Sequence, residues 1–526
     1  MDSKVRMFMR ELKRFSRGLL LAGLLFLFAS HLQTNGVLRA SEGGEARSFL
    51  VSLDHLDLIK QAWLRGDPSV KSDVDRVISR ANKALTLGPY SVVNTPEVAP
   101  SGDPHDLLSY GYYSWPNPNT ADGTPWIRRD GHGNPDSHLD WDQFYGLARA
   151  VEPLSVAYYL TGDERYGGKM ASLFRTWFLD EETRMNPRDL YSSVIPGRSP
   201  GSFATPGFGN ALGGRRMIDA MGIVEASPSW TETDEAGLKQ WTRDFTVWAE
   251  TDRFGEVQRN EPSNHGTNYD FMFTAFGLYN GDIASAEKNY LNYVNDRMLG
   301  QIAEDGSNPL EMLRANNRLY HRYNLNRAME LAAVGRGLGG VDLFDYETED
   351  GRSLRLALDY FLPYMLGDKE WDQWPGEEFP LELSTYYMVL RSAAVYFADP
   401  TLLEQANRLP FRSMGFINVT HPESAVYASI WTGDANVDGE FTSEDLVMVL
   451  QAGKYGEAVN AGWADGDWNQ DRRFDSTDLI NAFAEGGYEQ GPFKLKSPRV
   501  VPEPSTLSVL GLALLCIFSF RKAVFV

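Results

Sequence analysis

The sequence predicts an all-α protein: an α/α toroid built from helix pairs, followed by a small helical module with EF-hand-like loops. Two observations carry the toroid. Apolar residues recur at steps of three and four over most of residues 47–430, and strand-like alternation is scarce. No strict repeat marks a solenoid. A third observation carries the module: after Trp431, two acidic loops with the same internal spacing begin 33 residues apart.

The chain starts with a basic stretch, Lys4, Arg6, Arg10, Lys13, Arg14 and Arg17, ahead of an apolar run from Leu19 to Ala29. This is the layout of a secretory signal peptide, cleaved after Ser30 or Ala40, and it sets residues 1–40 apart. Residues 41–430 form the expected toroid. Tyr166, Met170, Leu173, Phe174, Trp177 and Phe178 share one helical face. Leu238, Trp241, Phe245 and Trp248 repeat the pattern, as do Leu354, Leu358, Phe361, Leu362 and Met365. Pro363 lacks an N–H and is expected to kink or end the last of these helices. Asp163 and Ser353 stand where N-caps belong. Gly335, Gly337, Gly339 and Gly340 end a helix rather than follow a strand, which removes a dinucleotide fingerprint. Loops such as Trp115-Pro116-Asn117-Pro118 are natural carriers of binding groups.

Composition narrows the function. A net charge of -21 argues against a nucleic-acid partner. It leaves an acidic polysaccharide open where Arg and Lys gather locally. Cys516 is the single cysteine, so an intramolecular disulfide, cysteine catalysis and multi-thiolate metal sites are excluded.

Residues 261–327 hold two polar knots separated by apolar helical sequence. In the first, Asn264 and His265 put an amide donor next to a proton acceptor. In the second, Arg314 offers a fixed cation able to grip a carboxylate bidentately. Tyr320 lies six residues further on. On one straight helix it would not share a face with Arg314, so a turn between them, or reach from different heights, is needed to bring both into one groove. Each residue also has a structural reading: a packed histidine, an arginine on helix C-terminal carbonyls, tyrosines 320 and 323 as core aromatics. Convergence of unlike polar groups on two short stretches favours chemistry. No Gly-x-Ser-x-Gly elbow, phosphate loop or His-Glu-x-x-His motif is present. The acidic pairs Asp140/Asp142 and Glu377/Glu378 keep a glycoside hydrolase open as an alternative, because that chemistry needs two carboxylates across a sugar. A non-catalytic polysaccharide-binding surface protein is a third reading.

The span from about 105 to 335 resembles the alginate lyase family of polysaccharide lyases. The matching pieces are Tyr112-Tyr-Ser-Trp115-Pro-Asn-Pro, Asp122-Gly-Thr-Pro-Trp126-Ile-Arg128-Arg129-Asp130-Gly and Tyr159-Leu-Thr-Gly-Asp-Glu-Arg165-Tyr. Trp177-Phe-Leu-Asp, Thr183-Arg-Met-Asn-Pro187, Asn264-His265-Gly-Thr, Asp305-Gly-Ser-Asn-Pro-Leu-Glu311 and Arg314…Tyr320…Tyr323-Asn-Leu complete the set, in the family's order. The resemblance implies an α/α toroid and β-elimination on a uronate polymer. It implies that Asn264, His265 and Arg314 serve carboxylate neutralisation and that Tyr320 moves protons. Tyr320 serves as both base and acid if both lie on one face of the ring; His265 is the base and Tyr320 the acid if they are opposed. Trp115, Arg128, Arg129 and Tyr323 are the substrate-binding candidates, with Arg198 and Arg215 as weaker ones. No metal is needed for this chemistry. Two positions depart from the family's pattern: Ser263 replaces an Asn, and Asn268 replaces an aromatic.

The tail adds two further expectations. Asp434, Asn436, Asp438 and Asp445 take positions 1, 3, 5 and 12 of a calcium loop, and Asp467, Asn469, Asp471 and Asp478 do the same. Asp at position 12, in tandem, resembles a dockerin. It implies structural Ca2+ in residues 431–491 and a cohesin-like partner. Gly439 occupies the sharp turn of the first loop and Arg472 that of the second. Residues 492–526 form a linker and an end segment: Val501-Pro502-Glu503-Pro504, an apolar run from Leu507 to Phe520, then Arg521-Lys522. This resembles the PEP-CTERM sorting signal of exported bacterial proteins and implies export, with attachment to a membrane through the tail.

Overall fold

The computed structural model describes residues 44–372, 383–410 and 415–493. The leader, the sorting segment with Cys516, and the Glu377/Glu378 pair lie outside them. Helices dominate, and successive helices pack on each other. Pro68–Ala84 packs on Asp140–Thr161, which packs on Glu164–Phe174. Asn264–Asn280 packs against Ile283–Asn292 and Asn317–Val334, and Leu383–Tyr396 packs on Pro400–Arg408. This is the all-α pairing that the periodicity predicts.

The predicted faces go inward. All six residues of the 166–178 stripe are buried. The stripe runs through Glu164–Phe174 into a single π-turn, Arg175–Leu179, whose extra residue per turn keeps Trp177 and Phe178 both on the core side. Phe144, Phe208 and Phe245 meet at ring centroids of 4.8 and 4.9 Å. Truncating any one to Ala would cost about 3–5 kcal/mol. Asp163 and Ser353 cap their helices, accepting from Arg165 N and Leu356 N. Pro363 falls just inside the end of its helix. The Leu354–Leu366 helix passes Pro363 and ends three residues later at Leu366, and the left-handed φ of 75° at the next residue, Gly367, closes it. Pro363 lies in the last turn, one turn before the C-cap glycine.

The Asn264–Asn280 helix is buried on nearly every face, polar residues included: Asn264, Thr267, Asn268, Asp270 and Thr274. A helix buried all round belongs to an inner wall. The buried ion pair of Arg297 with Asp270 secures it, and Arg297 Nη1 also donates to Glu261 O at 2.7 Å. Gln301 Nε2 donates to Pro262 O and Ser263 O at 2.7 and 3.1 Å. The loop that leads into Asn264 is thereby fixed from below.

Strands are confined to loops. β1 (Leu108–Tyr110) pairs in parallel with β4 (Tyr191–Val194), and β2 (Ser114–Trp115) pairs antiparallel with β3 (Ile127–Arg128). The β2–β3 ribbon brings Tyr113 and Asp130 side by side, with Arg129 N donating to Tyr113 O at 2.8 Å.

Residues after Ile430 have a small core of their own, with Phe441, Trp463, Trp468 and Phe474. It is tied to the Pro400–Arg408 helix, where Glu404 accepts from Trp463 N at 2.6 Å.

Candidate active site

The first knot is built at the start of the Asn264–Asn280 helix. Ser263 occupies the N-cap without a side-chain cap bond. The cap comes from elsewhere: Glu311 Oε1 accepts Asn264 N–H at 2.7 Å, and a carboxylate there also suits the helix dipole. The Asn264 side chain is held by the same group, with Nδ2 at 2.8 Å from both carboxylate oxygens. His265 points the other way. Its Nδ1 lies 2.8 Å from Gln258 Oε1, an acceptor, so Nδ1 carries the proton. Among the described residues, none hydrogen-bonds Nε2. Burial, then the charges of Arg314 and Arg128, lower the His265 pKa to about 4. His265 is therefore a neutral imidazole with an open Nε2, better suited to taking a proton than to neutralising a carboxylate as a cation.

The second knot depends on a break in the chain. A short helix, Pro309–Met312, ends before Arg314, and the Asn317–Val334 helix starts after it. Of the two ways the spacing left open, the structure uses a turn. The Arg314 guanidinium lies 3.7 Å from the Tyr320 ring centroid, and its Nη2 donates to the Tyr320 hydroxyl at 2.8 Å. Asp130 clamps Arg314, accepting from Nε at 3.1 Å and Nη2 at 2.7 Å, and accepts Ala315 N–H at 3.0 Å. Arg314 and the other donors outweigh burial and hold the Asp130 carboxyl well below the usual carboxylate range. The hydroxyls of Tyr320 and Tyr113 are 2.6 Å apart. Burial, then Tyr113, push the Tyr320 phenol far above its ordinary value, against Arg314. In the resting site Tyr320 is protonated, with its oxygen held between a cation and a second phenol.

The two knots meet. Glu311 holds Asn264 three residues before Arg314, and Arg314 is close enough to His265 to depress its pKa. The other candidates frame them less directly. Arg128 is exposed and donates to Asp130 Oδ1 at 2.8 Å. Arg129 is exposed and covers one face of Trp115, at 5.1 Å, while Trp115 Nε1 donates to His132 O. The Tyr323 hydroxyl lies 3.3 Å from both Pro206 O and Asn268 Oδ1. Asn268 is fully buried, and its Nδ2 donates to Asn264 O at 2.7 Å. It braces the first turn rather than lining a groove. Arg198 is exposed, and Arg215 lies 3.9 Å from Glu152.

Four residues of this arrangement were not among the predicted site residues: Tyr113, Asp130, Gln258 and Glu311. Three of them stand inside the sequence motifs quoted above. Gln258 carries no sequence signal. The Asp140/Asp142 pair is not poised across a sugar. Asp140 is buried and accepts Leu108 N–H at 2.7 Å, while Asp142 is exposed beside His138.

The acidic loops match each other bond for bond. Asp434 accepts from Asp438 N and Gly439 N, and Asp467 from Asp471 N and Arg472 N, at 2.9–3.2 Å. Arg472 adopts the left-handed φ of 69° that Gly439 takes at 89°. Asp445 and Asp478 both accept main-chain N–H groups of their own loops. Among the described residues no three acidic, His or Cys groups converge as a closed metal cage.

A tyrosine, an arginine and a neutral histidine gather at one wall of a helix-pair toroid, and the matches to alginate lyases make this chain a polysaccharide lyase. The alginate lyase family model matches residues 91–371, and the chain belongs to the alginate lyase family. A crystal structure of an alginate lyase from Bacteroides ovatus is 30% identical, with a TM-score of 0.67, over 72% of this chain and 99% of that one. Alginate lyase A1-III from Sphingomonas species A1 is 16% identical, with a TM-score of 0.40, over 63% of this chain and 87% of that one. No curated protein matches. Residues 500–523 match the PEP-CTERM protein-sorting motif, which suggests export. Among the described residues no helix is long and apolar enough to cross a membrane.

Proposed function

We propose that the chain cleaves an alginate-like or glucuronan-like uronate polymer by β-elimination, with His265 as base and Tyr320 as acid. One observation carries the division of labour: His265 is neutral with Nε2 open, while Tyr320 is protonated and oriented by Arg314 and Tyr113. The C5 proton of a uronate is too weakly acidic to leave unaided. Positive charge and hydrogen bonds on the carboxylate stabilise the enolate that forms. Among the described residues Arg314 Nη1 has no hydrogen-bond partner, since Asp130 and Tyr320 occupy Nε and Nη2. Nη1 and the Asn264 amide are the donors for that carboxylate. Nε2 of His265 takes the C5 proton, and the Tyr320 hydroxyl protonates O4 as the C4–O4 bond breaks. Tyr113 and Arg314 then stabilise the phenolate. The test is ultraviolet absorbance from unsaturated ends when the protein is incubated with alginate, glucuronan and other uronans. New reducing ends without that absorbance would point to a hydrolase, and neither signal to a binding protein.

For residues 431–491 we infer a calcium-binding, dockerin-like module. Its oxygen donors fit Ca2+: Asp434, Asn436, Asp438 and Asp445 in one loop, and Asp467, Asn469, Asp471 and Asp478 in the other. Asp445 and Asp478 would leave main-chain N–H groups to complete the sites. The ion would cross-link each loop and take no part in the elimination. A cohesin-like protein is the partner such a module implies, and the C-terminal segment is the part suited to membrane attachment.

A further inference from the structure

The Asn264 amide is turned the wrong way for the role just given to it. Nδ2 lies 2.8 Å from both oxygens of Glu311, and the Asn264 main-chain N–H donates to Oε1 at 2.7 Å. Both residues are 1% exposed. With Nδ2 committed to Glu311, Oδ1 is the end of the amide left for another partner. Oδ1 and a uronate oxygen are both acceptors and repel. Turning the amide alone sets Oδ1 against the Glu311 carboxylate, which repels equally. One proton resolves both contacts. Oε1 continues to accept the main-chain N–H, Oε2–H donates to Asn264 Oδ1, and the amide NH2 faces the substrate.

We propose that Glu311 is a positioning residue that takes up a proton from solvent as a uronate binds, turning the Asn264 NH2 from itself to the substrate carboxylate. This rests on the lyase reading. The surroundings of Glu311 favour the proton. Its ionisable neighbours are Arg314, which lowers its pKa, and Glu261, which raises it. The helix N-terminus at Asn264 also favours the anion. Burial outweighs these and holds Glu311 above the ordinary carboxylate value. Arg314 is already paired with Asp130 at 2.7 Å, which blunts its help. A uronate brought to the same amide adds a second carboxylate, and two carboxylates sharing one site do not both stay ionised. When product leaves, Glu311 returns its proton to solvent.

The test uses the Tyr320→Phe chain, so that an alginate tetrasaccharide binds without being cut. Titration calorimetry at pH 8, in buffers of different ionisation enthalpy, should show uptake of up to about one proton per bound oligomer. Adding E311Q should abolish the uptake without weakening binding, because Gln presents Nε2–H to Asn264 Oδ1 as the protonated acid does. In the otherwise native chain, E311Q should keep turnover within about tenfold and lose an alkaline decline in kcat/KM, whereas E311A should lose about a hundredfold or more. No proton uptake, uptake unchanged by E311Q, or E311Q as inactive as E311A overturns the proposal. Should E311Q fail to fold, the proton uptake of Tyr320→Phe decides alone. If the native chain makes no unsaturated ends from any uronan, the lyase reading fails and this inference with it. Normal cleavage without proton uptake refutes this inference only.

Discussion

Replacing Gln258 with Leu removes the acceptor that fixes the His265 tautomer while keeping most of the side-chain volume. Gln258 is 8% exposed, and its Oε1 accepts His265 Nδ1–H at 2.8 Å. Thr205 Oγ1, 3.1 Å from the same oxygen and 2.8 Å from His265 O, closes the local network. Without Gln258, the Nδ1–H is left buried and unpaired, at a cost of about 1–3 kcal/mol. The imidazole relieves that cost by moving its proton to Nε2 or rotating, and either change removes the base. The rate of unsaturated-end formation should fall between about 5- and 150-fold. Thermal unfolding should show the fold intact. A companion variant gives the sign. Q258E sets a carboxylate against Nδ1 and raises the His265 pKa above its present value of about 4. Activity requires neutral His265, so the acid limb of kcat/KM should move toward neutral pH. A native rate in Gln258→Leu, or an acid limb unmoved in Q258E, would refute His265 as the base.

Other outcomes follow from the same geometry. Tyr320→Phe should abolish turnover and leave the circular dichroism spectrum unchanged; near-native rates would remove Tyr320 from the chemistry. Asp130→Asn keeps one acceptor for Arg314 but loses the charge-assisted pair, so kcat should drop about 10- to 100-fold, measured by initial rates. Burial holds His265 and His321 neutral, each at about 4 against an ordinary 6.5. Between those values the unfolded chain binds protons that the folded chain refuses. Stability should be full above pH 6.5 and fall as the pH drops toward 4, by up to ~3 kcal/mol for buried His321 and less for His265, which is not fully buried. Urea melts across that range, with a His321→Gln control, read the slope. Calcium should protect residues 434–479 from protease and chelation should expose them, while the toroid is unaffected; an identical digest in both conditions would remove the calcium reading.

Much of the molecule was legible because it rests on local rules. The 166–178 stripe, the caps at Asp163 and Ser353, and the glycine run after Val334 depend on neighbours within one or two turns. That Arg314 and Tyr320 could not share a face of one straight helix followed from helix geometry alone. What stayed hidden were partners supplied by distant chain. Asp130 reaches Arg314 across 184 residues, and Tyr113 reaches Tyr320 across 207. Spacing does not encode which loop folds over which knot. Gln258 is only seven residues from His265, yet one polar side chain on a short amphipathic helix looks like any solvated one. Asn268 was legible only as a departure from the family's pattern; its role, bracing the backbone of the first turn, depends on packing that the sequence does not display.

The long reach of those pairs has a consequence for when the protein works. Closing loops of 184 and 207 residues is slow compared with winding helices. Synthesis from the N-terminus delivers Tyr113 and Asp130 well before Arg314 and Tyr320. Its helices can form while the reactive centre is still incomplete. Competence then arrives late, once the ribbon from the first part of the chain has closed over the second.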